Sequence, residues 1–467
     1  MKQTPIMRFK NNILRGGLFL LSLTLFTTSC DLFRKAETSN VPKKKVPKDD
    51  DVKKPQGTVL VDTIRWKTDP KAKPPITTSG QTPPSPVVVT DPNNPNYNPN
   101  NPNSGIPVSP KAYSMAVLLP FNSAQFTEGA NPPKAQFALD FYAGVKLALD
   151  SFANQPSNLT VNVMDSRGDF NSVATRYEVT KADMILGPID RNEVISAMAF
   201  STRNKIPVVS PYFPTGDVET GNPQFIQVKP SLKTHCFNIV NHITSHYPNS
   251  QVVIAARSKD NETARFTYFE EANKAYSAGQ FEEWRIENEL VMNPEPYIEQ
   301  NGTTVFIVPS WNEAFVASFL KKINASPRRG QIVVYGMPQW QDFTGLNPLY
   351  EATKTHISSS TFIDAASPDV KHFRSKFLSK YGKLPNSDAF LGYDCALYFG
   401  KMLMQYGNSF PEFLNREQQS VLHTRFNFNP VYRNMAVSDD VTSNISKNEN
   451  GYVNILRFIG GGFRFAE

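Results

Sequence analysis

From residue 113 onward the sequence repeats one pattern, in which a short apolar segment is followed by an amphipathic one. SMAVLLP at 114–120 is typical of a buried strand, whereas AQFALDFYAGVKLALDSF at 135–152 carries its apolar residues at helical spacing. The succession restarts with a helix-like run at 231–246 and the strand-like QVVIAAR at 251–257. Strands that alternate with helices form parallel sheets covered on both faces. Two successive runs of the pattern therefore predict two α/β lobes.

The first thirty residues have the layout of a secretory signal. Four basic side chains precede an apolar core from Leu18 to Phe26, which is too short to span a bilayer. The core leads into Thr-Thr-Ser-Cys, and a small residue directly before Cys30 resembles the lipobox of bacterial lipoproteins. The resemblance implies that residues 1–30 are a lipoprotein signal peptide and that Cys30 becomes the lipidated first residue. The alternative is an ordinary signal with a chance cysteine.

Residues 31–112 are rich in Lys, Pro, Asn, Thr and Asp and show almost no apolar periodicity, as in VPKKKVPKDDDVKK and DPNNPNYNPNNPNSGIP. Such a segment cannot bury enough surface to offset its chain entropy, which predicts a disordered linker. About eighty residues at ~3.1 Å each would reach roughly 250 Å when fully extended. A lipid-anchored domain on this tether would work well away from its membrane.

The net charge of +7 does not indicate a nucleic-acid partner. Residues 113–467 hold 32 basic and 34 acidic side chains, so the basic excess lies in the signal and the linker. A nucleic-acid footprint needs a basic face on the folded domain itself. Beyond Cys30, only Cys236 and Cys395 occur, both in helix-like runs, and buried apolar side chains are their simplest interpretation.

Four segments resemble the type 1 periplasmic-binding family. They are AVLLPFNSA, ADMILGPIDRNEVISAMAF, IPVVSPYFPT and the run F-x3-F-x3-YGKLP-x3-AFLGYDCALYFG. The resemblance spans roughly residues 113–440. It implies an α/β fold of two doubly wound parallel-sheet lobes, joined by hinge strands, with a small-ligand cleft between them.

With this fold, we predict a bilobal domain over residues 113–467, preceded by the disordered tether. The first lobe is expected to comprise approximately residues 113–229 and 356–410. The second lobe is expected to comprise approximately residues 230–355 and part of the C-terminal tail.

Motifs of common enzyme classes are missing. The sequence contains no GxGxxG, no GxxxxGK[ST] and no GxSxG. His242 and His246 stand four apart on a predicted helix, but no nearby Cys or paired carboxylate would complete a metal site. We therefore predict no enzyme activity, no catalytic residue, no metal and no cofactor.

Loops that follow the strands at their carboxyl ends would line the cleft. They bring together aromatic and small polar groups, which suit a small-ligand pocket. The ligand-cleft candidates are Phe121, Asn122, Ser123, Gly187, Asp190, Arg191, Ser210, Tyr212 and Phe213, and, from the second lobe, Tyr335, Met337 and Trp340. The alternative is that the aromatic members pack one lobe against the other and exclude ligand.

The segment Gly187–Arg191 departs from the family pattern. Amino-acid-binding members present Ser or Thr and bare backbone N–H groups there, and these donors take the ligand carboxylate. Asp190 and Glu193 here form an Asp-x-x-Glu arrangement, in which Asp190 caps the following helix and Glu193 reaches back to the N–H of Asp190. Their charges would repel another anion, although Arg191 could restore affinity.

Two functions fit these features. AVLLPF and LGPIDRNEVISAM are also similar to outer-membrane lipoproteins that activate penicillin-binding proteins, in which this fold is a protein-contact surface. The long tether and the self-capped helix favour that function, a non-catalytic regulatory module in outer-membrane or cell-wall biogenesis. Its partners would be a membrane, through the lipid on Cys30, and envelope proteins such as cell-wall synthases. The alternative is a receptor that delivers an amino-acid-like ligand to an ABC-type permease.

The predicted location is the periplasmic side of the envelope. The tether favours the outer membrane over the inner, because a receptor that docks on a permease needs little reach. Asp31, directly after the lipidated cysteine, argues for the inner membrane under the enterobacterial sorting habit.

Overall fold

The computed structural model describes residues 112–126, 135–152, 159–214, 221–259, 261–276, 281–432 and 445–466, together with the backbone of residues 61–65. The strands are β1 (Val61–Arg65), β2 (Tyr113–Leu119), β3 (Leu159–Asp165), β4 (Met184–Leu186), β5 (Val208–Ser210), β6 (Phe225–Gln227), β7 (Gln251–Arg257), β8 (Phe281–Ile286), β9 (Thr304–Ile307), β10 (Ile332–Gly336), β11 (His356–Ser359), β12 (Gln419–Ser420), β13 (Arg425–Phe426), β14 (Phe428–Tyr432), β15 (Ile445–Asn450), β16 (Asn454–Ile459) and β17 (Gly462–Phe465). The helices are α1 (Ala135–Leu149), α2 (Tyr177–Thr180), α3 (Arg191–Asn204), α4 (Leu232–His246), α5 (Phe266–Tyr276), α6 (Glu313–Ala325), α7 (Asn347–Ala352), α8 (Pro368–Tyr381) and α9 (Ser387–Tyr406).

Each lobe is built on one mostly parallel sheet. The strand order is β1-β3-β2-β4-β5-β6-β15-β14 in the first lobe and β17-β16-β11-β10-β9-β7-β8 in the second. In both sheets one inner strand pairs in parallel with the next two strands of the chain, as β2 does with β3 and β4 and as β7 does with β8 and β9. The predicted fold of two doubly wound parallel-sheet lobes is confirmed.

Both faces of each sheet are covered by apolar side chains. In β2, Val117 and Leu119 lie in one buried cluster of the first lobe, whereas Ala116 and Leu118 lie in another. The second lobe is divided in the same way, with Val253 and Ile254 in different clusters. This double burial explains why the strands read as continuous apolar runs rather than as alternating ones.

The helices α1 and α9 of the first lobe approach each other closely at two glycines. A Cβ atom on Gly144 would lie 2.0 Å from the carbonyl oxygen of Ala389, and one on Gly392 would lie 2.0 Å from that of Phe141. Any side chain at either position would push the helices apart.

The chain crosses between the lobes three times, after β6, after β11 and after β15. Residues 356–410 were predicted to belong to the first lobe, but β11, at 356–359, lies in the second sheet. It pairs in parallel with β10 and antiparallel with β16. The crossing therefore follows Ser359, because the strand within THISSSTFID must end before the chain can leave its sheet.

The segment predicted to be a disordered linker contains the strand β1. It pairs antiparallel with β3 at the edge of the first sheet, with Val61 opposite Met164 and Arg65 opposite Thr160. The sequence VDTIR carries β-branched residues that suit an edge strand, a signal that the surrounding Pro and Lys residues obscured. The predicted signal peptide, Cys30 and the rest of the linker lie outside the described residues.

Among the helices of the described ranges, none is both long and apolar enough to cross a membrane. Cys236 and Cys395 are buried, free thiols.

Candidate functional site

The carboxyl ends of the parallel strands carry most of the candidate residues. We call the group in the first lobe the lobe 1 edge, which comprises Asn122, Ser123, Asp165, Asp190 and Glu193. We call the corresponding group in the second lobe the lobe 2 edge, which comprises Arg257, Glu262, Ser310 and Trp311.

The loop after β2 is held by Asp165, which ends β3. The buried Asp165 carboxylate accepts hydrogen bonds from the backbone N–H groups of Asn122 at 3.0 Å and Ser123 at 2.7 Å, and from the Ser123 hydroxyl at 2.7 Å. The N–H of Arg167 adds another at 3.0 Å. The backbone N–H groups of Asn122 and Ser123 are thus already bonded to the protein's own carboxylate. The neighbouring Phe121 packs edge-to-face on Tyr142, with ring centroids 5.8 Å apart.

The junction between β4 and α3 is closed by Gly187 and Asp190. Gly187 has φ +98°, and a Cβ there would lie 2.3 Å from the carbonyl oxygen of Leu118, so only glycine fits. The Asp190 carboxylate accepts from the N–H of Asn192 at 3.2 Å, which confirms the predicted N-cap. The positive end of α3 therefore already faces a carboxylate.

Glu193 does not complete the predicted capping box. Its side chain is 1% exposed, and neither carboxylate oxygen has a hydrogen-bond partner. Burial raises the pKa of Glu193 to about 7. The nearby Ser166 hydroxyl opposes this rise without forming a hydrogen bond to the carboxylate. The negative charges of Asp190, Asp169 and Asp165 raise the pKa further. The Glu193 side chain points inward because it lies on the buried face of α3, together with Val194 and Ala197.

The residues that follow β5 pack within the first lobe. The Tyr212 hydroxyl donates to Asp388, at the start of α9, at 2.6 Å, and its ring lies edge-on to Phe137. Burial, followed by the Asp388 charge and hydrogen bond, raises the pKa of Tyr212. The guanidinium of Arg191 lies 5.3 Å from the centre of the Phe213 ring.

A small cavity of about 170 Å³ borders Tyr212 and the first two crossings between the lobes, with Lys229 and Thr361 in its wall. Ser210 ends β5 with a buried hydroxyl that has no hydrogen-bond partner.

Three cleft candidates from the second lobe lie in its hydrophobic core. Tyr335, Met337 and Trp340 are each 0% exposed. The Trp340 indole donates to the carbonyl oxygen of Ser310 at 2.8 Å, and the Tyr335 hydroxyl lies 2.6 Å from Nδ1 of His242. The prediction that these three line a cleft is therefore not supported, because all three are buried and the polar atoms of Tyr335 and Trp340 are used within the core. Gly336 permits this packing, since a Cβ there would lie 2.3 Å from the Trp340 ring.

The lobe 2 edge contains a buried ion pair that was not predicted from the sequence. Arg257 donates to both carboxylate oxygens of Glu262, from Nη2 at 2.6 Å and from Nε at 3.1 Å. The Ser310 hydroxyl donates to the same carboxylate at 2.5 Å. Burial acts to raise the pKa of Glu262, but the hydrogen bonds from Arg257 and Ser310 outweigh it and lower the pKa. Arg257 ends a mostly apolar strand, and a buried charge in that position needs a partner. This feature of the sequence could have predicted the ion pair.

Apolar side chains are exposed at the lobe 2 edge and after β8 beside it, where Glu289 lies 3.9 Å from Arg257. Trp311 is 45% exposed, and the guanidinium of Arg265 stacks on its ring at 3.8 Å. Leu290 and Val291, which follow β8, are 88% and 74% exposed. Tryptophan and arginine are over-represented among the residues that dominate protein–protein binding energy. This edge is suited to contact with another protein.

His242 and His246 stack with ring centroids 3.9 Å apart at the end of α4. Burial, with a smaller effect of the His246 charge, lowers the pKa of His242 to about 4. Over the described residues, no group of three or more potential metal ligands is brought together.

Comparison with known proteins places the fold. No family model matches this sequence, and no curated protein matches it significantly. Among solved structures, the chain is similar to a putative branched-chain amino acid ABC transporter from Rhodospirillum rubrum, with 17% identity and a TM-score of 0.56 over 76% of this chain and 100% of that one. The chain has the type 1 periplasmic-binding fold.

A second group of similar structures is LpoA from Haemophilus influenzae. The C-domain of LpoA, described as a regulator of PBP1A, is 12% identical with a TM-score of 0.50, over 76% of this chain and 100% of that domain. Full-length LpoA is 12% identical with a TM-score of 0.52, over 77% of this chain and 59% of LpoA. The fold is thus shared with an ABC-transporter protein and with a regulator of PBP1A, and it does not decide between these two functions.

Proposed function

We propose that this protein is a lipid-anchored, non-catalytic module that regulates outer-membrane or cell-wall biogenesis by contacting envelope proteins such as cell-wall synthases. The lipid on Cys30 holds it to a membrane, with the outer membrane favoured, and the folded domain faces the periplasm. Its fold resembles both LpoA and transporter-associated binding proteins, so the edges of the lobes must decide the function.

The observation that carries the proposal is that both lobes close their edges with their own carboxylates. In the first lobe, Asp165 takes the donors of Asn122 and Ser123, and Asp190 caps α3. In the second lobe, Glu262 takes Arg257 and Ser310. An amino-acid carboxylate would have to displace these internal bonds, and in the first lobe it would also meet the negative charges of Asp165 and Asp190. The exposed Trp311 and Leu290 supply a surface for a protein partner instead.

The competing function is a receptor for an amino-acid-like ligand of an ABC-type transporter. The small cavity beside Tyr212 favours it, because this cavity adjoins two of the crossings about which the lobes would close. Its volume of about 170 Å³ is below the ~300 Å³ at which small-molecule pockets begin. We therefore rank this function second.

Photo-crosslinking in cells tests the proposal. A photo-reactive amino acid replaces Leu290 in the full-length protein, and the same replacement at Leu384, 67% exposed in the first lobe, is the matched control. We expect adducts with a cell-wall synthase from position 290 and few from position 384. Adducts with permease subunits alone would favour the receptor, and the absence of any envelope-protein adduct would refute the contact surface.

A further inference from the structure

A second cavity, of about 700 Å³, lies between α8 and α9 of the first lobe and β16 and β17 of the second. We call it the hairpin cavity, because the hairpin formed by β12 and β13 closes one side. The lining residues used below include Phe362, Asp369, His423, Tyr452, Asn454 and Phe465. No residue of the lobe 1 edge or the lobe 2 edge lines it. Its volume lies within the range of about 300–1,000 Å³ that small-molecule sites occupy.

His423 is fixed at the wall of this cavity. The buried Asp394 carboxylate accepts from the backbone N–H of His423 at 3.0 Å and from its Nδ1. The carbonyl oxygen of His423 accepts from the N–H of Phe362 at 2.7 Å, which ties the hairpin to the second crossing between the lobes. Because Nδ1 carries the proton that Asp394 binds, Nε2 of the neutral ring is a hydrogen-bond acceptor.

Nε2 of His423 has no hydrogen-bond partner, although the side chain is only 2% exposed. Nδ2 of Asn454, a donor on a side chain that is 5% exposed, also has none. Buried polar atoms in native proteins are nearly always paired. The unpaired acceptor and the unpaired donor therefore belong to two side chains that line the same cavity, and a hydroxyl group is both a donor and an acceptor.

The rest of the wall combines aromatic rings with groups that can accept hydrogen bonds from hydroxyls. Phe362 and Phe465 pack edge-to-face with centroids 4.5 Å apart, and Phe465 is 53% exposed. Tyr452 lies on the same wall, and the exposed carboxylate of Asp369 is at the rim. Apolar ring faces can pack against the C–H faces of a ligand, and the neighbouring acceptors can bind its hydroxyl groups. Together they match a molecule that has C–H faces and several hydroxyls.

We propose that the hairpin cavity binds a neutral saccharide of one or two rings, with hydroxyl groups paired to Nε2 of His423 and Nδ2 of Asn454. Asp369, Lys376 and Arg425 all belong to the lining, so charges of both signs favour neither an anion nor a cation, and the aromatic rings favour a sugar over a small acyclic polyol. The proposal is independent of the proposed regulatory function, because it uses a different surface.

Saturation-transfer NMR on the full-length protein, with glucose, N-acetylglucosamine and maltose as separate millimolar probes, tests this site. His423→Asn keeps an N–H near the position of Nδ1 for Asp394 but removes Nε2, and Asn454→Leu removes the donor. We expect transfer to the ring protons of at least one saccharide, and an affinity about tenfold weaker in either variant, as the loss of one buried hydrogen bond implies. His246→Asn, at an exposed histidine of α4, is the control and should bind like the wild type.

If none of the saccharides shows transfer, the proposal is overturned, since water would then be the only partner left for Nε2 of His423 and Nδ2 of Asn454. Transfer that is unchanged in both variants would overturn it as well, because the sugar would lie elsewhere. If both variants lose their fold, the imidazole nitrogen resonances of the wild type decide. The Nε2 resonance of His423 should shift with saccharide, and an unshifted resonance would contradict the site.

Discussion

Each lobe buries one glutamate at the edge of its sheet, and the two surroundings shift the glutamate pKa in opposite directions. Glu262 in the second lobe receives Arg257 and Ser310, and its pKa is lowered. Glu193 in the first lobe has no partner for either oxygen, and its pKa is raised to about 7. One lobe therefore holds its buried glutamate in a fixed ion pair, whereas the other leaves its buried glutamate unpaired, with a charge that changes near neutral pH. The lobe 1 edge is therefore the one whose charge responds to pH near neutrality.

Removing the charge of Glu262 should have the largest effect. In Glu262→Gln, the buried guanidinium of Arg257 loses its main counter-charge, and breaking a buried pair costs about 3–5 kcal/mol. Urea unfolding at neutral pH measures the free energy of unfolding. Glu271→Gln, which breaks the exposed pair with Lys233, is the control and should cost at most about 1 kcal/mol. Equal, small losses in both variants would contradict the contrast between the lobes.

The same substitution at Glu193 should stabilise the protein, and only at higher pH. The folded state holds the Glu193 proton up to about pH 7, whereas the unfolded state releases it near 4.5, so stability falls as pH rises between these values. Glu193→Gln removes this loss, and its advantage over the wild type should grow by about 2–3 kcal/mol between pH 5 and pH 8. Urea unfolding at both pH values checks this, with Glu412→Gln as the exposed control. A constant difference between variant and wild type would show that Glu193 is already charged below pH 5.

Trp311→Ala should change stability least and partner binding most. The side chain is 45% exposed and its main contact is the stacked Arg265, so the loss of unfolding free energy should be about 1 kcal/mol or less. An interface anchor of this kind typically contributes about 2 kcal/mol or more to binding. The yield of synthase adducts from position 290 should therefore fall severalfold, whereas Leu384→Ala should leave it unchanged. An undiminished yield in Trp311→Ala would exclude this tryptophan from the contact.

The elements were predictable where burial alone shapes the sequence. β7 matches the predicted segment 251–257, because a strand buried on both faces carries a nearly continuous apolar run. The N-cap at Asp190 was also predictable, since capping depends on neighbouring residues. Each of these features is determined within a few residues of chain.

The side chains at the lobe edges were less predictable, because their direction depends on distant contacts. Trp340 follows a strand like a cleft residue, but the space above Gly336 and the carbonyl of Ser310 draw it into the core. Glu193 has the spacing of a capping box and is buried instead. The pairing of Asp394 with His423, 29 positions away, leaves no local pattern in the sequence.

The most direct test of the central claim is the thermal unfolding of the full-length protein with each free amino acid added in excess. A ligand at 100 times its dissociation constant adds about 2.7 kcal/mol to stability, which would raise the melting temperature by several degrees. Because the carboxylates of both lobes already occupy the donors at the edges, we predict no amino-acid-dependent rise. A rise of several degrees with any one amino acid would contradict this account and would identify the protein as a receptor.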